Sequence, residues 1–173
     1  MTEIIRYIGK ETLHKGEFLL APWSLCQFDS GGKGKVMILP PAKEDIWDLY
    51  EPSEGQRREG IDGLYVVTSE TEKRFQLGFG ANIPWIEYAY EGEFRIRRYT
   101  DKLTEGYSHI DIADLPPDRV PSGNGVKLSV YCDPSGFMEI EACGGCPIEL
   151  RSGTELSVQI TTEYEMLKET FSV

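Results

Sequence analysis

Short runs of β-branched and aromatic residues, cut at close intervals by glycine and proline, limit what this chain can fold into more than any other feature. Eighteen Gly and ten Pro punctuate its 173 residues. Between them lie the segments 18–28, 36–39, 64–68, 74–78, 85–90, 94–99, 126–132, 137–143 and 156–162, where strand-forming side chains concentrate. Many short extended runs separated by turn residues predict an all-β, antiparallel β-sandwich rather than alternating βαβ units. No repeat or shift of composition divides the chain, so one domain over residues 1–173 is expected. Its 40% hydrophobic and 11% aromatic content suffices for a core.

Local signals fix several turns. Asp133-Pro134-Ser135-Gly136 separates two strand-like runs. Pro134 presets φ at the second turn position and Gly136 accepts positive φ, so a hairpin is expected. Tyr90-Glu91-Gly92-Glu93 joins 85–90 to 94–99 in the same way, and Gly31-Gly32-Lys33-Gly34 reads as a turn leading into a strand. Helix is scarce. Residues 43–50 have the composition for two helical turns before Pro52 stops them. Residues 164–169 suit a short helix or an extended strand equally. Segments 52–60 and 114–125 read as loops.

Charge excludes some partners. Eighteen Lys and Arg against 29 Asp and Glu leave a net charge of −11, which repels a polyanion such as nucleic acid. No apolar run approaches the ~20 residues of a membrane span. The start, Met-Thr-Glu-Ile-Ile-Arg, has no apolar signal-peptide core. Four Cys are too few for a disulfide scaffold, which predicts reduced thiols and a cytoplasmic protein.

The candidate site residues come from alternation. In Phe137-Met138-Glu139-Ile140-Glu141-Ala142, side chains at i and i+2 share a face ~7 Å apart. Met138, Ile140 and Ala142 form the expected core face. Glu139 and Glu141 point the other way with Phe137, where two carboxylates beside a ring can bind sugar hydroxyls or supply a general base. The bland alternative is a solvated outer face. In Phe94-Arg95-Ile96-Arg97-Arg98-Tyr99, Arg95 and Arg97 share a face with Tyr99. They suit carboxylates of a ligand, or Glu139 and Glu141 themselves, or simply a charged sheet edge. Trp23 and Tyr131 are candidates for stacking on a sugar ring, a role that competes with filling a core.

Other chemistries find less support. Cys143-Gly144-Gly145-Cys146 has dithiol spacing, but Pro147 follows and no helix opens at Cys143, so a Gly-rich turn with incidental cysteines is the better reading. A zinc site needs four ligands, and Cys26, Cys132, His14 and His109 are not paired at ligand spacing. No metal and no cofactor are expected.

In their order, these motifs resemble galactose-mutarotase-like proteins, in a branch catalogued mainly as a domain of unknown function. The resemblance rests on Ala21-Pro22-Trp23-Ser24-Leu25-Cys26-Gln27-Phe28, the Gly-Lys-Val-Met-Ile-Leu-Pro run at 34–40, the 85–90 and 94–99 pair, and Leu128-Ser129-Val130-Tyr131 followed by Phe137-Met138-Glu139-Ile140-Glu141 and Pro147. It spans roughly residues 17–163 and matches the C-terminal part of that fold. It implies a β-supersandwich with a sugar site on one sheet. In active mutarotases a late-strand Glu takes the anomeric proton while a His protonates the ring oxygen. Glu141 is most similar to that Glu, with Glu139 second. No histidine stands in a similar motif, and His109 is the candidate acid only by elimination. A missing acid favours sugar binding without turnover. The alternatives are an aldose epimerase using Glu141 and His109, or a structural module. The shortened match leaves sheet edges open, so either a homodimer that covers them or a degenerate compact sandwich is expected.

Overall fold

The alternation of Phe137–Cys143 carries directly into the structure. In the computed structural model this segment is a strand, and Met138, Ile140 and Ala142 are fully buried. The structure describes residues 1–29, 31–60, 62–69, 74–110 and 125–167. Among them are β1 (Thr2–Arg6), β2 (Leu13–His14), β3 (Trp23–Asp29), β4 (Gly34–Ile38), β5 (Ile46–Asp48), β6 (Arg57–Glu59), β7 (Tyr65–Thr68), β8 (Phe75–Phe79), β9 (Ile86–Tyr90), β10 (Phe94–Thr100), β11 (Leu128–Cys132), β12 (Phe137–Cys143), β13 (Glu149–Leu150) and β14 (Glu155–Met166). Single 3-10 turns cover Lys43–Asp45 and Glu54–Gln56.

The protein is all-β, with antiparallel sheets packed as a sandwich. A large sheet runs in the order β1-β14-β10-β9-β4-β7-β6 and a small sheet in the order β3-β12-β11-β8-β5. β13 and β2 form a separate ribbon. The core lies between the two sheets. Val36, Ile38 and Tyr88 enter from the large sheet, and Leu77, Val130 and Ile140 from the small one, all with no exposed surface. Phe28 and Tyr88 stack across the gap, ring centroids 4.0 Å apart and 5° from parallel. Burial pushes the Tyr88 phenol up to about 12.

Arg98 also points inward, as its alternation with Phe94 and Ile96 requires, and it is fully buried. It donates to the carbonyls of Ile140 (2.9 Å) and Ser24 (3.1 Å) and to Ser24 Oγ (2.9 Å). A β10 side chain thus ties the large sheet to β12 and β3 of the small one.

Both expected hairpins form. Asp133 accepts from the Gly136 N–H through its carbonyl (2.9 Å) and from Ser135 N and Oγ through its carboxylate (2.9 and 2.7 Å). Gly136 has φ +98°. A side chain there is strained by the left-handed backbone, so Gly136→Ala is expected to cost about 1–2 kcal/mol, read as a lower denaturant midpoint at unchanged slope. The other hairpin closes with Glu93 N–H on the Tyr90 carbonyl (2.7 Å) and positive φ at Glu91 and Gly92.

Two local expectations are corrected, and one open alternative is resolved as strand. Residues 43–50 do not form a two-turn helix: after one 3-10 turn the chain becomes β5. The Asp45 carbonyl takes the Gly80 N–H (3.0 Å) and its carboxylate takes the Asn82 amide (3.1 Å to each oxygen), which turns Ile46 and Trp47 onto the free edge of β8. Residues 52–60 are not simply a loop but contain a 3-10 turn and β6, a short charged edge strand on β7. Residues 164–166 continue β14, whose partner is β10. The 114–125 expectation lies outside the described residues except at Gly125. Among the described residues no helix is long and apolar enough to cross a membrane.

Candidate functional site

Antiparallel register puts directly opposite residues on one face of a sheet. Glu141 stands opposite Leu25 and Ser129, Ser129 opposite Gly78, and Gly78 opposite Trp47. The neighbouring row is Gln27, Glu139, Tyr131 and Gln76. Both rows lie on the small sheet's outer face, because the residues between them fill the core.

Glu141 is the unusual member. Its residue is only 1% exposed although it faces away from the sandwich interior. Gln76 Nε2 donates to Glu141 Oε2 (2.7 Å) and to Ser129 Oγ (2.9 Å), and Ser129 Oγ donates to the same carboxylate oxygen. The Trp23 side chain, two residues along β3 from the position opposite Glu141, is close enough to favour the charged carboxylate slightly. Burial dominates these neutral donors and raises the Glu141 carboxyl to about 7, with the like charge of Glu139 adding to it. Burial raises Glu139 as well. Among the described residues Glu141 forms no salt bridge; the buried Arg98 guanidinium, which points into the core on the other side of β12, feels its charge but is hydrogen-bonded to Ile140 and Ser24 instead.

Aromatic groups flank the carboxylates. Trp23 stands near Glu141 and remains 52% exposed, so it leaves ring surface open to solvent. Tyr131 donates to Asp133 (3.2 Å), with Phe137 5.7 Å and Tyr50 6.4 Å from its ring centre. The Arg74 guanidinium lies 4.3 Å over the Tyr50 ring. Gly78 makes room for Trp47, since a Cβ there would sit 2.9 Å from the indole nitrogen. That Trp47 N–H is buried and has no hydrogen-bond partner, which leaves an unused donor on the row of Glu141.

The structure thus brings together Glu139, Glu141, Trp23 and Tyr131. It does not bring Arg95 or Arg97 to them. Both arginines stand on the outer face of the large sheet. Arg97 holds Glu87 through Nε and Nη2 at 2.8 Å each and lies 4.3 Å over Trp85, while Arg95 holds Glu165 at 2.7 and 2.6 Å. The expected pairing with Glu139 and Glu141 fails because β10 and β12 belong to different sheets.

His109 lies beyond the strand ends. Its Nδ1 is 3.3 Å from the Gly144 carbonyl oxygen, and burial lowers its pKa. Gly144 is three residues past Glu141, ~10 Å of extended chain. Glu141 is not among the groups that shift His109.

Cys143 and Cys146 are free and buried. Burial raises the Cys143 thiol, which opposes thiolate formation. Among the described residues no cluster of His, Cys, Asp and Glu is arranged to hold a metal ion.

Gln76, Ser129 and Trp47 are site residues that sequence reasoning passed over. Ser129 had a signal: it alternates with the apolar Leu128 and Val130 as Glu141 does with Ile140 and Ala142. Gln76 is the lone amide in Phe75-Gln76-Leu77-Gly78-Phe79. Comparison of the chain with protein-family models, curated proteins and solved structures found no match.

Proposed function

We propose that the outer face of the small sheet binds a neutral carbohydrate without turning it over. The observation that carries this reading is the buried Glu141 carboxyl, held by Gln76 and Ser129 without a salt bridge among the described residues, beside the half-exposed Trp23 indole. Sugars pair apolar C–H faces with adjacent hydroxyls. One hydroxyl donates to Glu141, Glu139 accepts a second, and the ring stacks on the indole. A cationic ligand would leave the neutral donors around Glu141 without a task. The resemblance of these motifs to galactose-mutarotase-like proteins supports the reading.

Epimerisation needs a proton donor at the ring oxygen. His109, the candidate acid, is anchored on Gly144 with a depressed pKa, so binding alone is the activity proposed.

Calorimetric titration with a panel of mono- and oligosaccharides tests the proposal. Saturable heat is expected for at least one sugar, and Trp23→Ala should weaken it roughly tenfold or more through loss of the stacking face. Absence of binding at millimolar sugar across the panel, or unchanged affinity in Trp23→Ala, would remove this function. Optical rotation of anomerically pure aldoses should relax no faster with the protein than without it.

A further inference from the structure

We infer that the outer face of the large sheet carries a separate binding site for a small, multiply charged oxyanion, centred on Lys35 and Arg58. A cleft of about 1060 Å³ opens there, lined by Lys33, Lys35, Arg58, Gln56 and Thr68 together with one carboxylate, Glu91. Strand register explains its shape. Lys35 on β4 lies opposite Thr68 on β7 and Ala89 on β9, so the middle of the sheet is floored by small side chains. Gly34, Gly55 and Gly92 also line the cleft and add no side chain to it. Arg58 rises from β6 on the far side.

Charge assigns the ligand class. Other cations on and around this sheet already have carboxylates: Arg95 has Glu165, Arg97 has Glu87, and Arg57 has Asp48 and Glu54. Lys35 and Arg58 have no ion pair among the described residues, and both are exposed. Among the described lining residues three cations, Lys33, Lys35 and Arg58, face the cleft against the single carboxylate of Glu91, a local positive balance on a chain of net charge −11. Screening within ~8 Å at physiological salt confines the effect of distant carboxylates. Arg58 offers a planar fork that fits two oxygens of one phosphate or carboxylate, and Lys35 a compact point charge. Lys33 is tied to Glu91 only by an exposed bridge of 3.3 Å, which a ligand anion can replace. Several cations around one cleft favour an anion with several charges over a monoanion. The site shares no residue with the Glu141 face, and it stands or falls independently of the carbohydrate reading.

Backbone-amide NMR titration of the intact chain with pyrophosphate, repeated with citrate, tests the inference. Saturable shifts are expected at Gly34, Lys35, Gln56 and Ala89, weakening as ionic strength rises. The double variant Lys35→Glu, Arg58→Glu should weaken binding at least roughly tenfold, while Arg6→Glu, a charge change elsewhere, should leave it unchanged. Binding of pyrophosphate alone identifies phosphate as the recognised group, and binding of citrate alone identifies carboxylates. Amide shifts of core strands in the double variant report that it is folded. No saturable shift with either anion, or equal shifts in the double variant, would overturn the site.

Discussion

Glu141→Gln is expected to stabilise the protein at alkaline pH and to flatten its pH profile. Burial raises this carboxyl from 4.5 to about 7 in the folded state. Between those values the folded protein holds a proton that the unfolded chain has released. Stability therefore falls as pH rises through that window and levels off above it. For a residue 1% exposed, the whole difference amounts to about 3 kcal/mol. Glutamine keeps an oxygen that accepts from Gln76 and Ser129 but carries no charge to desolvate. Denaturant unfolding at pH 5 and pH 8 should show the variant gaining up to about 3 kcal/mol on the native chain at the higher pH and little at the lower. The difference between the two proteins isolates this group, because His109, whose pKa is lowered by burial, acts with the opposite sign in both. An equal offset at both pH values would mean that burial does not raise the Glu141 carboxyl. With the carboxyl raised by burial, sugar binding is expected to strengthen as pH passes 7, as the carboxylate becomes the acceptor.

Arg98→Ala is expected to destabilise the sandwich by about 4 kcal/mol, through the cavity it opens between the sheets and the lost bonds to Ile140 and Ser24. Arg98→Met fills much of the same volume and removes a buried guanidinium whose desolvation already lowers its pKa. That variant should lie within about 1 kcal/mol of the native chain. Equal losses in Ala and Met would assign the effect to the hydrogen bonds rather than to packing. No loss in Ala would contradict the buried position of the side chain. Equilibrium unfolding of the pair decides among these outcomes.

The two glutamates were legible because a strand has a period of two: once Met138, Ile140 and Ala142 are assigned to the core, Glu139 and Glu141 must face outward. Arg98 was legible for the same reason, by its place with Phe94 and Ile96. The burial of Glu141 was not, since an outward carboxylate on a single strand looks solvated. It becomes buried only when Ser129 and Gln76 arrive from β11 and β8 and Trp23 from β3. β5 was missed because its Ile46-Trp47-Asp48 core is too short to signal a strand, and its stability comes from the edge of β8. β6 has no apolar pattern at all, since it is held by backbone pairing to β7.

Composition and local periodicity by themselves determined an all-β chain, the inward and outward residues of its longer strands, and both hairpins. These depend on backbone preferences and on spacing within a few residues. Only the tertiary structure decided which strands share a sheet, and so which side chains meet. That is why Arg97 pairs with Glu87 rather than Glu141, why His109 rests on Gly144, and why Lys35 and Arg58 face one cleft. Pairing between distant strands is set by how the apolar faces of all of them close over one core, a condition that no single segment contains.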